Sequence, residues 1–164
     1  MLNTRRQLTL FVPSGAASQL EAARQVLDPA QFKLIRAHVT LCRDDEIGEL
    51  SCDRLTARAS TATPITLAFG RPEKFSGHGV LLPCIAGQAS FHDLRCHLLE
   101  SPSARPRQAH ITLAHPRNPQ ALGNTPENMA AIEGDFSISF AVATLIRQVQ
   151  GGPWVDEQSF EFMR

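Results

Sequence analysis

The sequence predicts an α+β fold whose two lobes are each built on a mainly antiparallel sheet. Three observations carry this. Hydrophobic spacing switches repeatedly between period 2 and period 3.6 along the chain, which mixes strands with helices. The elements are loosely duplicated: each half has a strand, a helix, a strand, a second helix and a further strand. A short motif also occurs twice, as Arg36-Ala37-His38-Val39-Thr40-Leu41 and as Gln108-Ala109-His110-Ile111-Thr112-Leu113, 72 positions apart. No linker separates the halves, so residues 1–164 are expected to form a single two-lobed domain.

The first half opens with Gln7 to Val12, an apolar, β-prone run that ends at Pro13 and suits a buried strand. Ser14 to Ser18 reads as a loop, with Ser18 capping a helix over Gln19 to Leu27. Its apolar positions Leu20, Ala23, Val26 and Leu27 follow helical spacing, and Glu21 falls in the first turn, where the helix dipole favours an acid. Asp28-Pro29 closes it. Leu34 to Cys42 is the first motif strand. Asp44 then caps a helix over Asp45 to Thr61, carrying Ile47, Leu50, Leu55 and Ala59, and Pro64 opens a strand over Ile65 to Phe69.

In the second half, Gly70 to Gly79 reads as turns around a short segment, Glu73 to Phe75. Val80 to Ile85 is a strand containing Pro83, which predicts an edge or bent position. Ala89 to Leu99 is a helix with Phe91, Leu94 and Leu98 on one face. Ser101 to Arg107 is a loop, Gln108 to Ala114 the second motif strand, and His115 to Pro119 a loop. A weak helix is expected over Pro126 to Ile132. Phe136 to Val142 and Ala143 to Gln150 are strands, Gly151-Gly152-Pro153 a turn, and Gln158 to Met163 the last strand.

Composition narrows the function. A chain of 164 residues buries about 70% of its unfolded surface, enough for a core without disulfide or metal staples. Hydrophobic residues make up 43% and the formal net charge is +0, which argues against coating long nucleic acids by bulk charge but leaves room for a local basic pocket. The cations are mostly arginine, with lysine only at Lys33 and Lys74. Cys42, Cys52, Cys84 and Cys96 form no C-x-x-C pair. Met1 to Arg6 has no apolar signal core and no run approaches membrane-spanning length, so a cytoplasmic monomer with reduced thiols and no membrane partner is the expectation.

The repeated motif carries the chemistry. In a His-x-Thr strand the two polar side chains share one face, about 6 to 7 Å apart. Histidine exchanges protons near neutral pH, and a hydroxyl donates to a phosphate oxygen. Two such strands would surround one small anion with two proton-transfer groups and two donors. That suits in-line attack at phosphorus: one imidazole removes a proton from the nucleophile and the other protonates the leaving oxygen. A metal site would need three or four ligands, and neither motif has a third on its own face apart from Cys42. No metal and no cofactor is expected.

Two His-x-Thr-Leu strands at this separation, in a chain of this length, resemble the 2H phosphoesterase superfamily, in its 2′-5′ RNA ligase-like and cyclic phosphodiesterase branch. Ala143 to Arg147, followed by Trp154 and Phe160-Glu161-Phe162, resembles that family's closing hairpin. The resemblance implies a bilobal, pseudo-twofold fold with helices packed outside the sheets and a central cleft. It implies His38 and His110 as general acid and base and Thr40 and Thr112 as phosphate holders. The implied substrate is a nucleotide or RNA end bearing a 2′,3′-cyclic phosphate, or a 2′-5′ RNA linkage.

Further candidates are less specific. Arg43 and His115 each follow a motif histidine by five residues, but strand parity puts them on the opposite face. Arg147 reads equally as a salt-bridge or a phosphate-binding residue, and Trp154 as a base-stacking platform or core. His78, His92 and His97 read as ordinary surface or core histidines, and Arg105 and Arg107 as a solvated loop. An RNA-end or cyclic-nucleotide binding module with little turnover is the alternative, though binding alone would not need two titrating groups.

Overall fold

The computed structural model describes residues 3–121 and 136–163; the helix expected over Pro126 to Ile132 lies outside the described residues. The elements run β1 (Thr4–Phe11), α1 (Ser14–Leu27), α2 (Pro29–Leu34), β2 (His38–Cys42), α3 (Asp44–Ile47), α4 (Cys52–Ala59), β3 (Ile65–Phe69), β4 (Glu73–Phe75), β5 (Gly79–Ala86), α5 (Gln88–Leu99), β6 (His110–Ala114), β7 (Phe136–Phe140), β8 (Val142–Val149) and β9 (Trp154–Glu161).

All the strand pairs are antiparallel, and they follow one path, β7-β3-β5-β6-β2-β1-β8-β9, with β4 beside β5. The two expected sheets are the two halves of this path. They meet where β2 pairs with β6 through Val39 and Ile111. The motif strands are therefore neighbours side by side within one sheet, at the centre of the pseudo-twofold. Helices α1 and α5 pack against the inner strands, α1 on β6 and α5 on β2 and β3. Beneath the motifs the strands alternate: Val39, Leu41, Ile111 and Leu113 are fully buried with Leu10, Leu82 and Phe91, so the polar partners must face the other way.

Several boundaries differ from the sequence expectation. Helix α1 begins at Ser14, not Gln19, because the Pro13 carbonyl accepts the N–H groups of Ala16 and Ala17. Glu21 is thereby mid-helix rather than in the first turn. Asp28 does more than close α1: its carboxylate accepts from Gln31 N–H (3.1 Å) and starts α2, with Pro29 at the first position. The helix expected over Asp45 to Thr61 is two, broken at Gly48, whose φ of +53° ends α3, and restarted by the Ser51 hydroxyl.

Pro83 is not on an edge. It lies in β5, opposite His110, with β6 on one side and β3 and β4 on the other. It is tolerated because its outer flank is the gap between β3 and β4. There its carbonyl accepts from Gly70 N–H (2.9 Å) and no registered pair requires its missing donor. The last strand starts at Trp154, four residues ahead of the expected Gln158.

Candidate functional site

The register at Val39 and Ile111 builds the site. Extending it by one residue sets His38 beside Thr112 and Thr40 beside His110, all on the face opposite the buried core. Diagonal neighbours across such a pair are about 7–8 Å apart, so the two histidines flank a space of phosphate size. His38, Thr40, His110 and Thr112 all line one cleft of about 900 Å³. No side chain among the described residues takes either threonine hydroxyl, which leaves both for a ligand.

Both imidazoles are oriented in the same way. His38 Nδ1 lies 2.7 Å from the Arg36 carbonyl, and His110 Nδ1 lies 3.0 Å from the Gln108 carbonyl. A carbonyl only accepts, so each Nδ1 carries the proton and each Nε2 is left for the cleft. An aromatic ring braces each: Phe11 is 6.3 Å from His38 and Phe75 is 6.1 Å from His110, centroid to centroid. Burial lowers the His38 pKa to about 4, against the raising effect of the Arg36 carbonyl, with Arg24 and His110 lowering it further. Burial also lowers His110, with Arg43 adding to the effect against the Gln108 carbonyl.

Arg43 and His115 reach the cleft despite their parity. Strands β2 and β6 end at Cys42 and Ala114, so the alternation stops one residue short of each. Arg43 makes no ion pair among the described residues. The loop carrying His115 is tied down by Asp28, which accepts from His115 N–H (2.9 Å) and from Asn118 Nδ2 (2.8 Å). His115 Nδ1 accepts from Arg117 N–H (3.1 Å), so in its neutral form the proton sits on Nε2, the reverse of the motif histidines.

Trp154 lines the cleft, with the Arg5 guanidinium 5.5 Å from its ring and hydrogen-bonded to Gln148. Arg147 does not line it. It sits on the other face of β8 and pairs with Glu157 at 2.9 Å, as Arg6 does at 3.0 Å. In the structure its guanidinium is engaged by the Glu157 carboxylate. Arg107 is likewise engaged, on Glu46. His97 bonds the Arg58 carbonyl and His92 approaches Cys96, both away from the cleft. Sequence reasoning missed Arg5, Phe75 and Asp28 as cleft residues; each becomes one only through pairing between distant segments. Among the described residues no group of three His, Cys, Asp or Glu side chains is arranged to hold a metal ion. No helix among them is long and apolar enough to cross a membrane.

Two antiparallel half-sheets that each contribute a His-x-Thr strand to a shared cleft define the 2H phosphoesterase class. The comparisons agree. The family model of the 2′-5′ RNA ligase superfamily matches residues 12–148, and the chain belongs to that superfamily. The fold is similar to that of E. coli LigT complexed with NADP+, at 18% identity and a TM-score of 0.67, covering 98% of this chain and 99% of that one. It is similar to LigT complexed with 3′-AMP, at 18% identity, TM-score 0.63 and 98% and 99% coverage. A phosphoesterase structure matches at 16% identity and a TM-score of 0.61, over 99% of this chain and 100% of that one. No curated protein matches the sequence.

Proposed function

We propose that this chain is a single-domain, metal-independent phosphoesterase acting on a 2′,3′-cyclic phosphate of a nucleotide or RNA end, or on a 2′-5′ RNA linkage. The observation that carries the reading is the matched wiring of the motif histidines. Each Nδ1 is held by the carbonyl two residues back, beside a free threonine hydroxyl in the same cleft. A pKa of about 4 keeps His38 unprotonated at neutral pH, which suits the general base. His38 Nε2 takes a proton from the attacking water as its oxygen bonds to phosphorus. The bond from phosphorus to one ribose oxygen breaks, and His110 Nε2–H protonates that oxygen. The product is a ribose phosphomonoester.

His110 must be protonated for this, although burial lowers its pKa. The negative charge of the bound phosphodiester favours the imidazolium and supplies the correction. Thr40 and Thr112 donate to the non-bridging oxygens as charge builds there. Arg43 and His115 supply a cation and a neutral Nε2–H donor at the two ends of the motif strands, and Trp154 offers an aromatic face to a base. LigT has been solved with NADP+, ATP, 3′-AMP and phosphate, ligands of the same chemical kind.

The test is turnover of a panel of 2′,3′-cyclic nucleotides, cyclic-phosphate RNA ends and 2′-5′ dinucleotides. His38→Ala and His110→Ala should each lower kcat by about 10²-fold or more while the protein stays folded. Wild-type turnover in both variants would overturn the mechanism. Tight, salt-sensitive binding without turnover by the wild type would identify a binding module instead.

A further inference from the structure

Behind each motif strand, one helix side chain grips the backbone immediately ahead of the histidine. The Glu21 carboxylate accepts from Ala37 N–H, and the Gln88 amide oxygen accepts from Ala109 N–H at 2.9 Å. Since each imidazole is itself held by the carbonyl of the residue before that alanine, the tripeptides Arg36-Ala37-His38 and Gln108-Ala109-His110 are fixed from both sides. The two grips come from different turns of their helices: Glu21 is in the middle of α1, and Gln88 opens α5. Gly87 puts Gln88 there, with a φ of +93° and no room for a side chain, since a Cβ would collide with the Thr66 carbonyl.

The grips differ in charge. Glu21 also pairs with Arg24 at 2.9 Å, and Arg24 is buried to 1% exposure and donates to the Ile35 carbonyl at 2.8 Å. Gln88 is neutral and spans its segment, its Nε2 donating to the Arg107 carbonyl at 2.7 Å. The first motif segment therefore rests on a half-buried carboxylate paired with a buried guanidinium, and the second on an amide.

We propose that Glu21 and Gln88 are the positioning residues of His38 and His110, and that the anion at Glu21, by balancing Arg24, also sets the charge felt by His38. The catalytic part of this rests on the function proposed above; the positioning does not. The charges felt by His38 are Arg24 of α1 and His110 of β6; Glu21 reaches it through the Ala37 N–H and its pair with Arg24, and the neighbouring Arg36 guanidinium is paired with Asp156. His110 is faced by Arg43 and His38.

Glu21→Gln keeps the acceptor for Ala37 but leaves Arg24 without its hydrogen-bonded anion, with only the charge of Asp28 acting on it. Gln88→Glu puts an anion behind His110 and removes the donor to Arg107. Imidazole titration followed by NMR, on the full chain without substrate, reads both changes. Glu21→Gln should lower the His38 midpoint and leave His110 in place. Gln88→Glu should raise the His110 midpoint and leave His38 in place. Each should lower kcat about tenfold with KM unchanged on whichever cyclic phosphate the wild type turns over. If Glu21→Gln does not fold, the double variant Glu21→Gln/Arg24→Met removes both charges and should raise the His38 midpoint. Midpoints unmoved in the folded variants, or both histidines shifting alike, would overturn the proposal. Shifted midpoints in a protein without turnover would uphold the electrostatic link from Glu21 and Gln88 to the two histidines and sink the phosphoesterase reading instead.

Discussion

Val39 faces Ile111 across the junction of β2 and β6, and both are fully buried. This pair is the point about which the two His-x-Thr motifs are exchanged. A one-residue slip of either strand would turn its own histidine and threonine towards the core and split the four-residue cluster. Ile111→Ala removes packing at this point and should cost about 2–5 kcal/mol. Urea unfolding measures the loss, and a variant as stable as wild type would show that the junction does not depend on this contact.

The threonines should separate donation from packing. Thr40→Ser keeps the hydroxyl and Thr40→Val keeps the shape. Loss of one donor to charge developing in the transition state costs about 10²–10³-fold in kcat. The valine variant should therefore fall far below the serine variant on any substrate the wild type cleaves. Equal activities would remove Thr40 from the mechanism.

Acid should destabilise the fold through His38. Its folded-state pKa, lowered by burial to about 4, lies below the ordinary value of 6.5. The unfolded chain therefore takes up the proton first as pH falls. Stability is full above pH 6.5, declines between there and about pH 4, and loses nothing further from this group below that. The urea midpoint across this window should fall less steeply in His38→Gln than in wild type.

Glu46 should be a strong point of stability. Burial raises its pKa, but hydrogen bonds from Arg95, from Arg43 N–H and from Arg107 outweigh that and bring it to about 2. Arg95 is fully buried and also donates to the Leu41 and Arg105 carbonyls. Glu46→Gln strips the counterion from a buried cation and should cost about 3–5 kcal/mol, read as a lowered midpoint in urea at neutral pH. Because the wild-type carboxylate's pKa is depressed, its contribution is present above its unfolded value and is lost as pH falls through about 2. The gap between wild type and variant should narrow in strong acid.

Turnover, where found, should persist in EDTA, since the proposed proton transfers run between side chains and substrate. Loss of activity on chelation, restored by one divalent metal, would replace this mechanism with a metal-assisted one.

The His-x-Thr faces were legible in the sequence because strand parity is local: His38 and Thr40 share a face whatever surrounds them. Helix α5 was legible for the same reason, through Phe91, Leu94 and Leu98. Strand β9 was only partly so. It lies at one end of the sheet path, and its run Asp156 to Ser159 is polar and exposed, so it lacks the apolar alternation that marks a half-buried strand. Arg147 was ambiguous because Glu157, its partner, is brought opposite only by the β8–β9 hairpin. Parity misjudged Arg43 and His115 because it assumes that the strand continues, and both strands end one residue earlier.

By itself the sequence determined the α+β class, the duplicated halves, the polar face of each motif strand and the family resemblance. These follow from short-range periodicity and from residue identity. Only the tertiary structure decided that β2 and β6 are neighbours, that each Nδ1 is tied to the carbonyl two residues back, and that Glu21 and Gln88 stand behind the two histidines. Those contacts join segments up to 72 positions apart. They arise because burying Val39, Leu41, Ile111 and Leu113 together brings the two strands into register, and no local pattern records which distant strand will complete a sheet.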